Sequence, residues 1–172
     1  MKKILLVSKF LLLFIFNLYS QKKSFSIGVG PSIGFAVGNE SYNYFFKNAV
    51  GGAIQASYGV TKLGSIISTV SYQSIGAKNA PVTKTNFSQF KLGYKTGFLN
   101  SGFFLTADAG IAGYQKKLNK LILSTAVGYS FKISPTGNID IFPSYSIIPV
   151  TSFNSMWLSA NVLIRFNIPK KK

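Results

Sequence analysis

The sequence predicts an all-β chain, an eight-stranded antiparallel up-and-down transmembrane β-barrel behind an N-terminal signal peptide. Three observations carry this. Residues 24–38 alternate without a break between apolar odd positions and small even ones. Seven later stretches repeat a one-sided alternation, separated by turn-forming residues. On nearly all of them the charges fall on the row opposite the large apolar side chains. Side chains of a strand point alternately to its two faces, so each stretch offers one greasy face and one small or polar face.

The leader comes first. Lys2 and Lys3 form a basic start, an apolar run ends at Phe16, and small Ser20 sits in a polar exit. This is the layout of a Sec-type secretory signal peptide cut after Ser20. Lys9 interrupts an apolar run already short for a span of about 20 residues. The expected organisation is therefore 1–20 signal peptide and 21–172 one barrel domain. The chain has no cysteine, hence no lipobox and no disulfide.

Strand 1 sets Phe25, Ile27, Val29, Pro31, Ile33, Phe35 and Val37 against Ser, Gly and Ala. Pro31 lacks a ladder donor and is expected at a bulge or beside the barrel seam. A polar and aromatic loop, 39–48, leads to strand 2, with Val50, Ile54 and Tyr58 opposite Ala53, Gln55 and Ser57. After a tight turn at Thr61-Lys62, strand 3 has Ile66, Val70 and Tyr72 outward against Thr69, Ser71 and Gln73. Residues 76–86 read as a second long loop by their breakers and charge.

Strand 4 sets Phe90, Leu92, Tyr94 and Phe98 against Gln89, Lys91, Gly93 and Lys95. The hairpin turn 99–102 pairs Phe98 with Phe103 and so places Gly93 opposite Asp108. Strand 5 puts Phe103, Leu105 and Ile111 outward and Phe104, Thr106 and Asp108 inward. A loop at 115–120 precedes strand 6, where Leu121, Leu123, Val127, Tyr129 and Phe131 oppose Ser124, Ala126, Ser130 and Lys132. The turn Ser134-Pro135-Thr136-Gly137 is expected to pair Lys132 with Asp140. Strand 7 has Ile139, Ile141, Pro143, Tyr145 and Ile147 outward. A loop at 149–154 then pairs Ile147 with Met156. Strand 8 runs outward through Leu158, Val162, Ile164 and Phe166, with Ser159, Asn161 and Arg165 on the other face.

Long and short connections alternate, as in outer-membrane barrels with short periplasmic turns and longer outer loops. A soluble lipocalin-like binding barrel is the competing architecture, with its apolar rows inside. An eight-stranded interior is only just wide enough for side chains, and Phe25, Phe35, Tyr58, Phe90, Phe98, Phe131 and Phe166 together would overfill it. Bulky rows belong outside, in lipid. Several of these aromatics fall near the same ends of their strands, as in an interfacial girdle.

With these rows in place, the chain resembles the small eight-stranded outer-membrane barrels of the OmpA/OmpX kind. The resemblance covers about residues 22–168 and is one of architecture. It implies a Gram-negative outer membrane, both termini periplasmic, contact with outer-membrane lipid and lipopolysaccharide, and handling by the outer-membrane assembly machinery. Barrels of this kind end on an aromatic residue; here Phe166 is followed by Asn167, Ile168, Pro169 and three lysines.

Chemistry is scarce. There is no His, and the only carboxylates are Glu40, Asp108 and Asp140. No catalytic constellation, no metal site and no cofactor are expected. The net charge of +16 includes Lys2, Lys3 and Lys9 of the leader. For an exported chain it points to an anionic surface rather than nucleic acid. Lys47, Lys78, Lys84, Lys116, Lys117 and Lys120 gather at the outer loops, where they suit contacts to anionic lipid. Lys91, Lys95, Asp108, Lys132, Asp140 and Arg165 fall on the inward rows and are the candidate lumen ion-pair network. Strand pairing would place Lys91 and Lys95 about Asp108, and Lys132 and Arg165 about Asp140. The expected function is that of a monomeric, non-enzymatic structural or surface-interaction barrel with a filled lumen. A narrow porin-like conduit for small molecules is the alternative.

Overall fold

The computed structural model describes residues 24–37, 46–78, 85–98, 101–114, 117–148 and 155–168. The leader and the cleavage position lie outside the described residues. Eight strands follow one another: β1 Phe25–Val37, β2 Phe46–Gly59, β3 Gly64–Ala77, β4 Thr85–Gly97, β5 Phe103–Tyr114, β6 Lys117–Lys132, β7 Gly137–Ile148 and β8 Ser155–Ile168. Each pairs antiparallel with its sequence neighbours, and β1 closes the barrel on β8. The three short connections 60–63, 98–102 and 133–136 lie at one end, here the turn end. The opposite ends of the strands make the loop end.

The alternation dictates the two faces. Val50, Ile54, Ile66, Val70, Leu92 and Leu123 are exposed on the outer wall, while Ser26, Gln55, Thr69, Gln89 and Ser144 are buried inside. Val50 keeps 59% of its surface exposed, which is unfavourable in water and favourable in hydrocarbon. The outer wall is thus the inverse of a soluble barrel's. Near the turn end, Phe25, Tyr58, Phe98, Phe103, Phe131 and Phe166 form a ring of exposed aromatics. Phe103 meets Tyr129 edge-on at 4.8 Å, and Tyr129 meets Phe131 at 4.6 Å.

Pro31 lies on the closing β1–β8 seam, where the ladder is interrupted between Val29↔Ile164 and Ser32↔Asn161. Pro143 interrupts β6–β7 in the same way, between Ala126↔Ser144 and Tyr129↔Ile141. Both rings face outward, so neither loses packing in the lumen. Strand 3 adopts the expected register, with Thr69, Ser71 and Gln73 inward. The hairpin at 98–103 closes as expected, Phe98 N–H donating to Phe103 O at 3.0 Å. Gly102 sits there at φ 75°, a conformation that a side chain would strain.

Four expectations are corrected, three loops and one turn. The loops read at 39–48, 76–86 and 115–120 are shorter, because β2 starts at Phe46, β3 runs to Ala77, β4 starts at Thr85 and β6 starts at Lys117. Polar side chains mark where a strand leaves the lipid, whereas backbone pairing continues beyond that point. A register shift between Ala112 and Gly113 lets β6 pair to its first residue. The last correction concerns the turn after β6. Ile133 and Ser134 N–H both donate to Gly137 O, at 3.0 and 3.1 Å, so Lys132 pairs with Asn138 and Ser130 with Asp140. The tighter turn moves Asp140 two residues deeper relative to β6 than expected.

Candidate functional site

The lumen is the one place where the described chain concentrates charge out of water, and it is filled in layers. At the loop end Ala49, Ile75, Phe87, Ala112, Ile122, Ile148 and Trp157 form a dry apolar cluster. Trp157 comes from β8 on the inward row and is 2% exposed. Its indole packs on Phe87 with ring centroids 5.1 Å apart. Gly34 makes room for it, since a Cβ there would lie 2.5 Å from Trp157 Nε1.

Below this lid the lining turns polar. Gln73 Nε2 donates to Ser32 Oγ at 2.7 Å, and Ser146 Oγ donates to Ser124 Oγ at 2.9 Å. Lys91 Nζ lies 3.4 Å from Asp108 Oδ1 and donates to Ser124 Oγ at 3.3 Å. The chamber between these groups has a volume of only about 20 Å³. That is room for about one water, which needs roughly 10–15 Å³.

The next layer centres on Asp140, which is 0% exposed. Lys95 Nζ donates to its Oδ2 at 2.9 Å. Arg165 Nη2 pairs with the same oxygen and donates to Gln55 Oε1 at 3.0 Å. The Lys95 ammonium also lies 3.6 Å from the centroid of the Phe104 ring. Phe104 belongs to a second apolar cluster with Ala53, Ala126, Phe142 and Leu163, and meets Phe142 edge-on at 5.7 Å. Charged groups so placed are tolerable only when paired. Both cations meet Asp140 Oδ2, while the buried Oδ1 has no hydrogen-bond partner among the described residues. Beyond it the turn end opens into a vestibule of about 440 Å³.

The candidate network therefore divides. Asp108 pairs with Lys91, its diagonal neighbour on β4. Lys95, equally diagonal to Asp108, instead reaches across the lumen from β4 to Asp140 on β7. Arg165 meets Asp140 from the adjacent strand, one diagonal step away. Lys132 is not part of the network: it is exposed at the turn end. The tight turn at 133–136 explains this, because it leaves Lys132 opposite Asn138 at the open rim, where its ammonium stays hydrated. Of the loop-end lysines, Lys78 and Lys120 are exposed, and Lys47 and Lys117 belong to β2 and β6. Lys84 and Lys116 lie outside the described residues. Sequence reasoning leaves Trp157, Phe87 and Phe142 without a role. Their inward parity is the signal that could have found them.

No protein-family model matches the sequence, and no curated protein matches it. Solved structures do match the fold. Neisserial surface protein A (NspA) superposes with a TM-score of 0.65 at 12% identity, over 84% of this chain and 97% of that one. The outer membrane protein AlkL, solved in lipid bilayers, gives 0.59 at 9% identity, over 89% and 93%. Ail, the attachment invasion locus protein of Yersinia pestis, gives 0.52 at 16% identity, over 84% and 97%. Ail has also been solved in complex with the heparin analogue sucrose octasulfate. Closed, all-antiparallel and greasy on its outer wall, this chain has the fold of the small eight-stranded outer-membrane β-barrels.

Proposed function

We propose that the chain is a non-enzymatic outer-membrane barrel that acts through its surface, as a structural or interaction protein, and does not conduct through its lumen. The observation that carries this is the occluded lumen. A dry lid around Trp157, a chamber fit for about one water and the Lys95–Asp140–Arg165 triad stand one behind another. An ion crossing it would have to displace both a hydrocarbon layer and a buried ion pair. Reconstituted in a planar bilayer, the protein should show no sustained unitary conductance. Steady unitary steps would favour the narrow porin-like conduit instead.

In this reading both termini and the turn end face the periplasm, and the loop end faces outward. The exposed loop-end lysines Lys78 and Lys120 then meet lipopolysaccharide phosphates, each worth about 1 kcal/mol near an anionic surface. Ail, which shares this fold, has been solved in complex with the heparin analogue sucrose octasulfate, a polyanion. Cysteine at Lys78 should label with an impermeant thiol reagent in intact cells, and cysteine at Ser101 should not. The reverse pattern would invert the barrel. The chain works here as a monomer delivered by the outer-membrane assembly machinery.

A further inference from the structure

We propose that the turn-end vestibule is a binding site for a small oxyanion-bearing molecule, a phosphate or sulfate ester, held on Lys95 and Arg165. The cavity measures about 440 Å³, within the range of roughly 300–1,000 Å³ typical of small-molecule sites. Its charged lining is of one sign: Lys62 at the rim, Lys95 and Arg165 at the floor, and no carboxylate. Asp140 stands behind the floor, fully buried, and brings one negative charge against two positive ones.

Donor counting sharpens this. An ammonium carries three donors and a guanidinium five. Among the described residues, Lys95 gives one hydrogen bond, to Asp140. Arg165 engages Asp140 and Gln55 through Nη2 alone. Both side chains line the vestibule, so donors not taken by Asp140 and Gln55 can be offered to a ligand there. The Phe104 ring forms part of the wall, and a charge-assisted bond to an oxyanion is about twice as strong as a neutral one. A cavity lined by one sign of charge also concentrates counter-ions. Hydroxyls of Thr61, Ser65 and Ser130 around the wall can donate to further ester oxygens. The volume exceeds what a bare oxyanion needs, hence an ester with a small organic group. Both a soluble phosphorylated molecule and a lipid headgroup present this chemistry. The site does not depend on the lumen being closed.

Inorganic phosphate is the first probe, titrated at constant ionic strength against chloride into the full mature barrel in uncharged maltoside micelles. Backbone amide signals of Ser65, Gly97 and Ser130 should shift saturably with phosphate and not with chloride. Lys95→Met should weaken the binding by at least about tenfold, the loss of one charge-assisted hydrogen bond. Ser65→Phe keeps both cations and fills the vestibule, so it should abolish the response and decides the matter if Lys95→Met does not fold. In phosphatidylglycerol nanodiscs, amides already at their phosphate-bound positions identify a lipid headgroup as the occupant. Amides that move there only when phosphate is added identify a soluble ester. Shifts that stay linear, follow chloride equally, or survive Ser65→Phe would overturn the site.

Discussion

The two ends of the lumen are stopped by different chemistry. At the loop end Trp157, Phe87 and Ile122 close it with hydrocarbon, and Gly34 leaves the space that the indole fills. Toward the turn end Lys95, Asp140 and Arg165 close it with charge, and a vestibule brings solvent to the triad. An apolar plug loses stability in proportion to the volume removed from it. An ionic plug responds to the loss of one partner far out of proportion to size, because the remaining charges stay buried. In the proposed closed lumen, the two layers rest on terms of opposite character.

The largest effect is expected at the charged layer. Asp140→Asn is nearly isosteric, yet it leaves Lys95 and Arg165 facing each other, and should lower unfolding stability by about 3–5 kcal/mol. Denaturant titration of the barrel in lipid vesicles reads this out. A midpoint equal to that of the unsubstituted chain would mean that the charges line a wet channel and hold nothing.

Trp157→Ala should follow, with a loss of about 3 kcal/mol from the cavity it opens. Its stability loss should come without conductance, since the triad still blocks the path. Only the double variant with Asp140→Asn should show unitary steps in a planar bilayer. Conductance from Trp157→Ala alone would show that the ionic layer does not seal.

Gly34→Val tests the same lid from the neighbouring strand β1. Added bulk must displace the indole, so overpacking of about 1–3 kcal/mol is expected. Pairing it with Trp157→Ala should restore part of the loss, whereas additive losses would mean that the two positions do not share space. The smallest effect belongs to Lys132→Gln. Exposed at the rim and outside the network, it should change the midpoint by no more than about 0.5 kcal/mol. A loss comparable to that of Asp140→Asn would put Lys132 back beside the carboxylate.

How far the sequence led can be judged from particular residues. Period-two alternation is a local property, and a barrel makes every inward row meet every other, so Lys91, Lys95, Asp108, Asp140 and Arg165 are recognisable as lumen residues by parity alone. The Phe98–Phe103 hydrogen bond and the Ile147–Met156 pairing also follow from local turns and come out as read. The turn after β6 does not, because 134–137 admits two closures and only the hydrogen bonds to Gly137 O choose between them. That two-residue difference is what removes Lys132 from the network.

The fold class, the eight strands, the two faces and the girdle of aromatics were determined by the sequence itself, since each follows from residues adjacent or two apart. Partner choice was decided only by the closed tertiary structure. Lys95 and Asp140 are 45 residues apart on strands that do not touch in the sheet, and they meet because the barrel wraps β4 and β7 around a common axis. Trp157 and Phe87 likewise meet across the lumen, over a floor that the small residues of β1 leave empty. Alternation says which way a side chain points. What it meets there depends on the curvature and stagger of the whole wall, which only closure sets.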